Sequence, residues 1–230
     1  MSAVGENIRR IRDEIAEAAL RSGREPSEVR LMAVTKTVDD NRILEAIDAG
    51  VNLMGENYIQ EAKRKIETMH VDVKWHMIGH LQSNKSKYAV RLFDMVHSVD
   101  RMGLAVELDK RSSTAGRVTD ILIEVNVSGE ESKSGVRADE ASALVKEIAS
   151  LENLSIRGLM TMPPWFDDPE EARPYFVALR ELRDKIAAED IPRVEMRELS
   201  MGMSGDYQVA VEEGATILRI GTAIFGARVY

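Results

Sequence analysis

Lys36 closes a run, Leu31-Met32-Ala33-Val34-Thr35, that is apolar enough to be buried. A lysine carried at the end of a buried strand sheds water. Desolvation disfavours the ammonium, and the neutral amine that results attacks aldehydes. The plainer reading is a solvated lysine at a strand end. Far along the chain, Ser200-Met201-Gly202-Met203-Ser204-Gly205-Asp206 leads into a helical stretch. Two glycines allow a tight turn and a close approach to an anion, two hydroxyls donate, and a helix start presents unpaired N–H groups. The same residues also describe an ordinary turn with Ser204 or Asp206 as helix cap. Gly221-Thr222-Ala223 forms a second small-residue turn, and the two turns together favour a phosphate cradle. Arg219 lies between Leu218 and Ile220 and points opposite to them in a strand. It is read either as a rim arginine paired with Glu198 or as a donor to the nitrogen of a heteroaromatic ring. A guanidinium only donates, so it would hold such a nitrogen unprotonated.

These residues need strand ends to carry them, and the chain alternates between short β-branched runs and longer helical stretches. A helix with Ile8, Ile11 and Ile15 on one face comes first. Eight strands follow, at 30–36, 52–56, 74–79, 95–99, 120–127, 154–160, 197–200 and 216–221. Helical stripes separate them, including Ile43, Leu44 and Ile47 after Asp39, residues 138–151, a helix starting near Pro169, and residues 206–213. Eight such units predict one closed (β/α)8 barrel with an extra N-terminal helix, spanning 1–230 as a single domain. A miscounted strand would leave an open doubly wound sheet instead. In such barrels the functional loops follow the C-terminal ends of the strands, and phosphate often sits after the seventh and eighth.

Composition narrows the chemistry. Lys and Arg total 31 against 39 Asp and Glu, a net charge of −8, and no long basic run offers a nucleic-acid surface. The Lys85–Arg91 stretch reads as a solvated helix face. No cysteine is present, which excludes disulfides, thiolate metal sites and cysteine nucleophiles. His76 and His80 fall on a strand and a turn rather than one helix face, so no metal is expected. No apolar run approaches the roughly 18 residues of a membrane span, and no signal-peptide core follows the N-terminus. A cytoplasmic protein is expected, with monomer preferred.

Five stretches carry a resemblance: Ala33-Val34-Thr35-Lys36, Gly55-Glu56-Asn57-Tyr58, residues 75–85 (Trp75-His76-Met77-Ile78-Gly79 onward), residues 199–206 and residues 219–226. With them in this order, the chain closely resembles the YggS/PROSC family of pyridoxal phosphate homeostasis proteins, related to the N-terminal barrel of alanine racemase. The resemblance implies a fold-type III barrel that binds pyridoxal 5′-phosphate (PLP). It implies Lys36 as the Schiff-base lysine and Ser200, Gly221 and Thr222 as phosphate contacts, with Ser204 in the same cluster. Arg219 becomes the pyridine-nitrogen partner and Asn57 a pocket residue. The implied role is to carry or buffer PLP without significant turnover, with apo-forms of PLP-dependent enzymes as possible recipients.

Two enzymatic alternatives stay open at this stage. A racemase of the related fold needs a second domain and a second base, a tyrosine from a partner subunit. Here the barrel is expected to consume the chain, leaving only residues 227–230 beyond Gly226, and Tyr58 and Tyr207 are the candidate second bases. A sugar-phosphate enzyme could use Lys36 as its Schiff base, with Glu56, Glu124 or Asp100 as acid or base.

Overall fold

The computed structural model describes residues 2–130 and 133–227. The chain opens with helix α1 (Ala3–Arg21) and then alternates: β1 (Arg30–Val34), α2 (Asp40–Asp48), β2 (Leu53–Glu56), α3 (Ile59–Met69), β3 (Lys74–Met77), α4 (Ser86–Leu92), β4 (Met95–Val99), α5 (Met102–Thr114), β5 (Thr119–Asn126). It continues with β6 (Val136–Arg137), α6 (Ala141–Ile148), β7 (Leu154–Met160), α7 (Arg173–Ala187), β8 (Val194–Ser200), α8 (Tyr207–Glu212), β9 (Ile217–Ile220) and α9 (Thr222–Phe225).

All pairings are parallel, and the ring closes through β1 against β9 and β4 against β5. Eight strands form the barrel, as the alternation predicts. The two-residue β6 is an addition, pairing Val125 with Val136 beyond the rim. No sequence pattern marks so short a strand. The loop expected over residues 129–134 and the tail at 228–230 fall in part outside the described residues.

Strand alternation divides the core in two. Outward side chains meet the helices in one large cluster that includes Ala33, Met54, Val96, Ile121 and Leu218. Inward side chains fill the lumen, with Met32, Val34, Leu53, Ile78 and Ile217 in one group and Met95, Leu122 and Met160 in another. The lumen is tight: a Cβ on Gly55 would lie 2.5 Å from the Met32 sulfur.

Helix α1 buries Val4, Ile8, Ile11, Ile15, Ala18 and Ala19, spaced three and four apart. Ser2 caps it by accepting from the Gly5 N–H at 3.2 Å. It packs on α2, α8 and α9. Because α9 is only four residues long, α1 takes the place in the outer ring that the last helix would have filled.

Some expected bounds shift. β1 stops at Val34, because Thr35 to Thr37 form a turn in which Thr37 has φ +60°. β8 starts at Val194, three residues early. It is matched there by a register shift at Gly158, where a Cβ would lie 2.0 Å from the Glu198 carbonyl oxygen. Leu44, expected on the buried stripe of α2, is exposed, and Ile43 and Ala46 carry the contact instead. The helix expected over 138–151 is the shorter α6. The one expected near Pro169 begins as a 3-10 turn, with Asp168 accepting from the Glu170 N–H.

Candidate functional site

The closing pair of the barrel brings the two ends of the chain together at one mouth. Residues after β1, β2 and β9, three neighbouring strands, line a cavity of about 420 Å³ with the loops after β7 and β8. Its lining includes Lys36, Asn57, Ser204, Arg219, Gly221 and Thr222, six of the seven residues singled out from the sequence. The volume lies in the range of small-molecule sites.

Lys36 follows the inward series Met32, Val34 and is carried by a turn that a buried ionic cluster clamps. Lys65 of α3 is fully buried. Its ammonium donates to the Thr35 carbonyl at 2.6 Å and to Glu56 and Glu61 at 2.7 Å each. Glu61 also accepts from the Thr37 N–H at 2.6 Å, and the Thr35 hydroxyl donates to Glu56 at 2.7 Å. Both peptide neighbours of Lys36 are thereby held from behind. Burial raises the Glu56 carboxyl above its ordinary range, against the opposing pull of Lys65. Glu56 lies outside the cavity lining, sealed under α3 with Lys65, so the acid or base role considered for it has no access to the cavity.

Asn57 continues the inward series of β2. Its amide oxygen is buried without a hydrogen-bond partner, an acceptor or, on the other side of the amide, a donor aimed at the cavity. Gly79 makes that position possible, because a Cβ there would fall 2.6 Å from the Asn57 carbonyl oxygen.

The loop after β8 is pinned by Asp206, which accepts from the Met203 N–H at 2.6 Å. Gly202 has φ +87°, and a Cβ on it would lie 2.5 Å from that of Ala210, so only glycine serves. Gly205 has an ordinary φ and open space around it; the turn does not require it. The Ser204 hydroxyl accepts from two backbone N–H groups, Gly221 at 3.3 Å and Ala223 at 3.1 Å. Two donors converging on one oxygen at the start of α9 mark a position that an anionic oxygen could share.

Arg219 forms part of the cavity floor, level with Met32 in the β1–β9 register. Its guanidinium donates to Ser200 Oγ and to the Thr161 carbonyl, each at 2.8 Å. Among the described residues no carboxylate lies within ion-pair distance of it. Glu198, the alternative partner considered for it, pairs with Arg30 at 2.6 Å instead. Burial pushes Arg219 down to about 10, which still leaves it protonated at neutral pH. Glu124 and Asp206 feel its charge, yet burial raises both carboxyls, Glu124 to about 7.

Ser200 is the sequence-derived residue that does not line the cavity. It is fully buried one layer deeper, where it holds Arg219 and faces His97. The sequence points to neither Met162 nor Trp165 of the lining, and gives His76 and His97 of the lumen no role. The two histidines had one legible signal: a polar residue within an all-buried strand, as in Met95–Val99, must find a partner inside. Of the candidate second bases, Tyr58 is exposed and Tyr207 donates to Glu14 of α1; neither lines the cavity.

The barrel thus sets a lysine after its first strand and two converging N–H donors after its last around one cavity. Residues 2–229 match the family described as alanine racemase, N-terminal domain. A pyridoxal phosphate homeostasis protein of Aquifex aeolicus is 45% identical over 226 residues, 98% of each chain. The structure of PipY from Synechococcus elongatus with PLP bound is 38% identical with a TM-score of 0.81, over 92% of this chain and 100% of PipY. Alanine racemase of Corynebacterium glutamicum shares the fold at 14% identity with a TM-score of 0.75, and this chain covers 98% of itself but 61% of the racemase. The chain belongs to the pyridoxal phosphate homeostasis family, as its motifs led one to expect.

Proposed function

We propose that the protein binds PLP at this mouth, covalently through Lys36, and serves to hold and release the cofactor rather than to turn over amino acids. When bound, PLP supplies an aldehyde that condenses with a primary amine and a pyridine ring that withdraws electrons. The observation that carries the reading is the set of polar groups left for a ligand around one cavity. These are the unpartnered Asn57 amide oxygen, the two N–H groups sharing the Ser204 hydroxyl, and the Arg219 guanidinium without a carboxylate.

Each residue has a task. Lys36 presents its amine from a clamped turn. Gly221 and Ala223 offer backbone donors to a phosphate oxygen, with Ser204 and Thr222 at the same edge. Asn57 would offer its unpartnered amide to the bound cofactor from the β2 side. Arg219 would donate to the ring nitrogen, and because a guanidinium only donates, that nitrogen would stay unprotonated and the ring would be a weaker electron sink. A site that holds the aldehyde while damping its chemistry suits a carrier. Among the described residues no tyrosine lines the cavity: Tyr58 is exposed and Tyr207 donates to Glu14.

No helix among the described residues is long and apolar enough to cross a membrane; the cytoplasm is the proposed location. PLP-dependent enzymes lacking their cofactor are the proposed recipients, and the monomer is the proposed form. The test mixes PLP-loaded protein with an apo-enzyme and, separately, with alanine in deuterated water. Activation of the apo-enzyme without Lys36-dependent exchange at the alanine α-carbon is expected. Exchange that vanishes in Lys36→Ala would instead establish a racemase-like activity.

A further inference from the structure

The lumen below the cavity holds a polar chain that runs from one wall of the barrel to the other. His76 Nδ1 of β3 lies 2.9 Å from His97 Nε2 of β4. His97 Nδ1 lies 3.0 Å from Ser200 Oγ of β8, and Arg219 of β9 donates to that same oxygen at 2.8 Å. All four residues are buried.

Hydrogen-bond inventory fixes the direction of each proton. A guanidinium has donors only, so Ser200 Oγ accepts from Arg219. The hydroxyl has one proton of its own, and among the described residues its only other partner is His97 Nδ1. If Nδ1 were protonated, the hydroxyl hydrogen would be buried without an acceptor, at a cost of roughly 1–3 kcal/mol. Ser200 therefore donates to Nδ1. That leaves the His97 proton on Nε2, facing His76 Nδ1, and the His76 proton on its own Nε2. Both rings are neutral: burial brings His76 down to about 3 and His97 well below its ordinary value, with the charges of His76 and Arg219 adding to the effect on His97.

We infer that His97, held in one tautomer by His76, is a positioning residue for the ring-nitrogen contact of Arg219. By taking the Ser200 proton it turns the hydroxyl lone pairs toward the guanidinium. Together with the Thr161 carbonyl this fixes the plane of Arg219 at the cavity floor. Because every partner in the chain is neutral, the arginine is oriented without being neutralised. The role in ligand binding rests on the reading that PLP occupies the cavity; the tautomer assignment does not.

The first arm of the test needs no variant and no ligand. In 15N-histidine-labelled protein, NMR should show His97 protonated at Nε2 and bare at Nδ1; a proton on Nδ1 overturns the inference. The second arm compares His97→Asn, whose amide oxygen can replace Nδ1 as acceptor, with His97→Leu, using PLP titration and the visible band of the bound cofactor. The Leu variant should bind PLP roughly tenfold more weakly, the equivalent of one buried hydrogen bond, with a displaced band. The Asn variant should stay close to wild type. A folded Leu variant with unchanged band and affinity overturns the role of His97. A wild type that takes up no PLP overturns the reading of the cavity itself, while the first arm still decides the tautomer.

Discussion

Lys65, between the barrel and α3, and Arg219, in the lumen, are both buried cations, yet the fold surrounds them differently. Lys65 meets two carboxylates at 2.7 Å. Arg219 meets a hydroxyl and a carbonyl, and its supporting chain ends in two neutral imidazoles. The first arrangement satisfies a charge internally, and its product is a rigid turn that carries Lys36. The second leaves a charge unneutralised and pointed at a cavity, at a cost in stability that a ligand with an electron-rich ring can offset. Charge compensation thus separates structural support from binding capacity within one barrel.

The largest expected effect breaks the compensated side. Lys65→Met leaves Glu56 and the Thr35 carbonyl facing an apolar side chain, and removing one partner of a buried pair costs about 3–5 kcal/mol. Urea unfolding should register that loss, and adding Glu56→Gln should recover part of it. A loss below about 1 kcal/mol would mean that the cluster is not what holds the turn.

On the uncompensated side, the sharpest probe is pH. Burial raises the Glu124 carboxyl to about 7, against an unfolded value of about 4.3. Between these values the native state holds a proton that the unfolded state has released. Glu124 therefore contributes stability at low pH that is lost as pH rises through about 7. The span amounts to on the order of 3 kcal/mol. Glu124→Gln lacks this dependence, so its stability relative to wild type should grow by that amount between pH ~4.5 and ~8. Parallel stability curves would show that Glu124 is not held protonated near Arg219.

Ser200→Ala is expected to cost roughly 1–3 kcal/mol, because it strips Arg219 and His97 of a shared partner. It should also weaken PLP binding, although Ser200 lies beneath the cavity. The smallest effect belongs to Thr37→Gly in the clamped turn. Relief of the left-handed backbone and the added freedom of glycine oppose each other, and the net change should stay within about 1 kcal/mol.

The same contrast explains what the sequence made legible. Lys36 follows from its place at the end of a buried strand and Arg219 from period-two alternation, both local properties, whereas Asn57 came only from the family resemblance. The barrel follows from counting units, and α1 from its isoleucine spacing. Ser200 shows where local reading stops. Its hydroxyl was expected at the cavity, but its partner His97 is 103 residues away in the chain and draws it into the lumen. The clamp on Lys36 is non-local in the same sense, since Lys65 reads as one more polar residue on an amphipathic helix until the fold sets Glu56 beside it. Trp165, 76% exposed at the cavity rim, lies in a proline-marked loop whose course no periodicity describes.

The central claim is covalent PLP at Lys36. Wild type and Lys36→Ala should each be incubated with PLP, scanned in the visible range, reduced with borohydride and digested for mass spectrometry. Wild type should show a visible imine band and a pyridoxyl adduct on the peptide containing Lys36, with neither in the variant. A colourless wild type, or an adduct on other lysines that persists undiminished in Lys36→Ala, would contradict it.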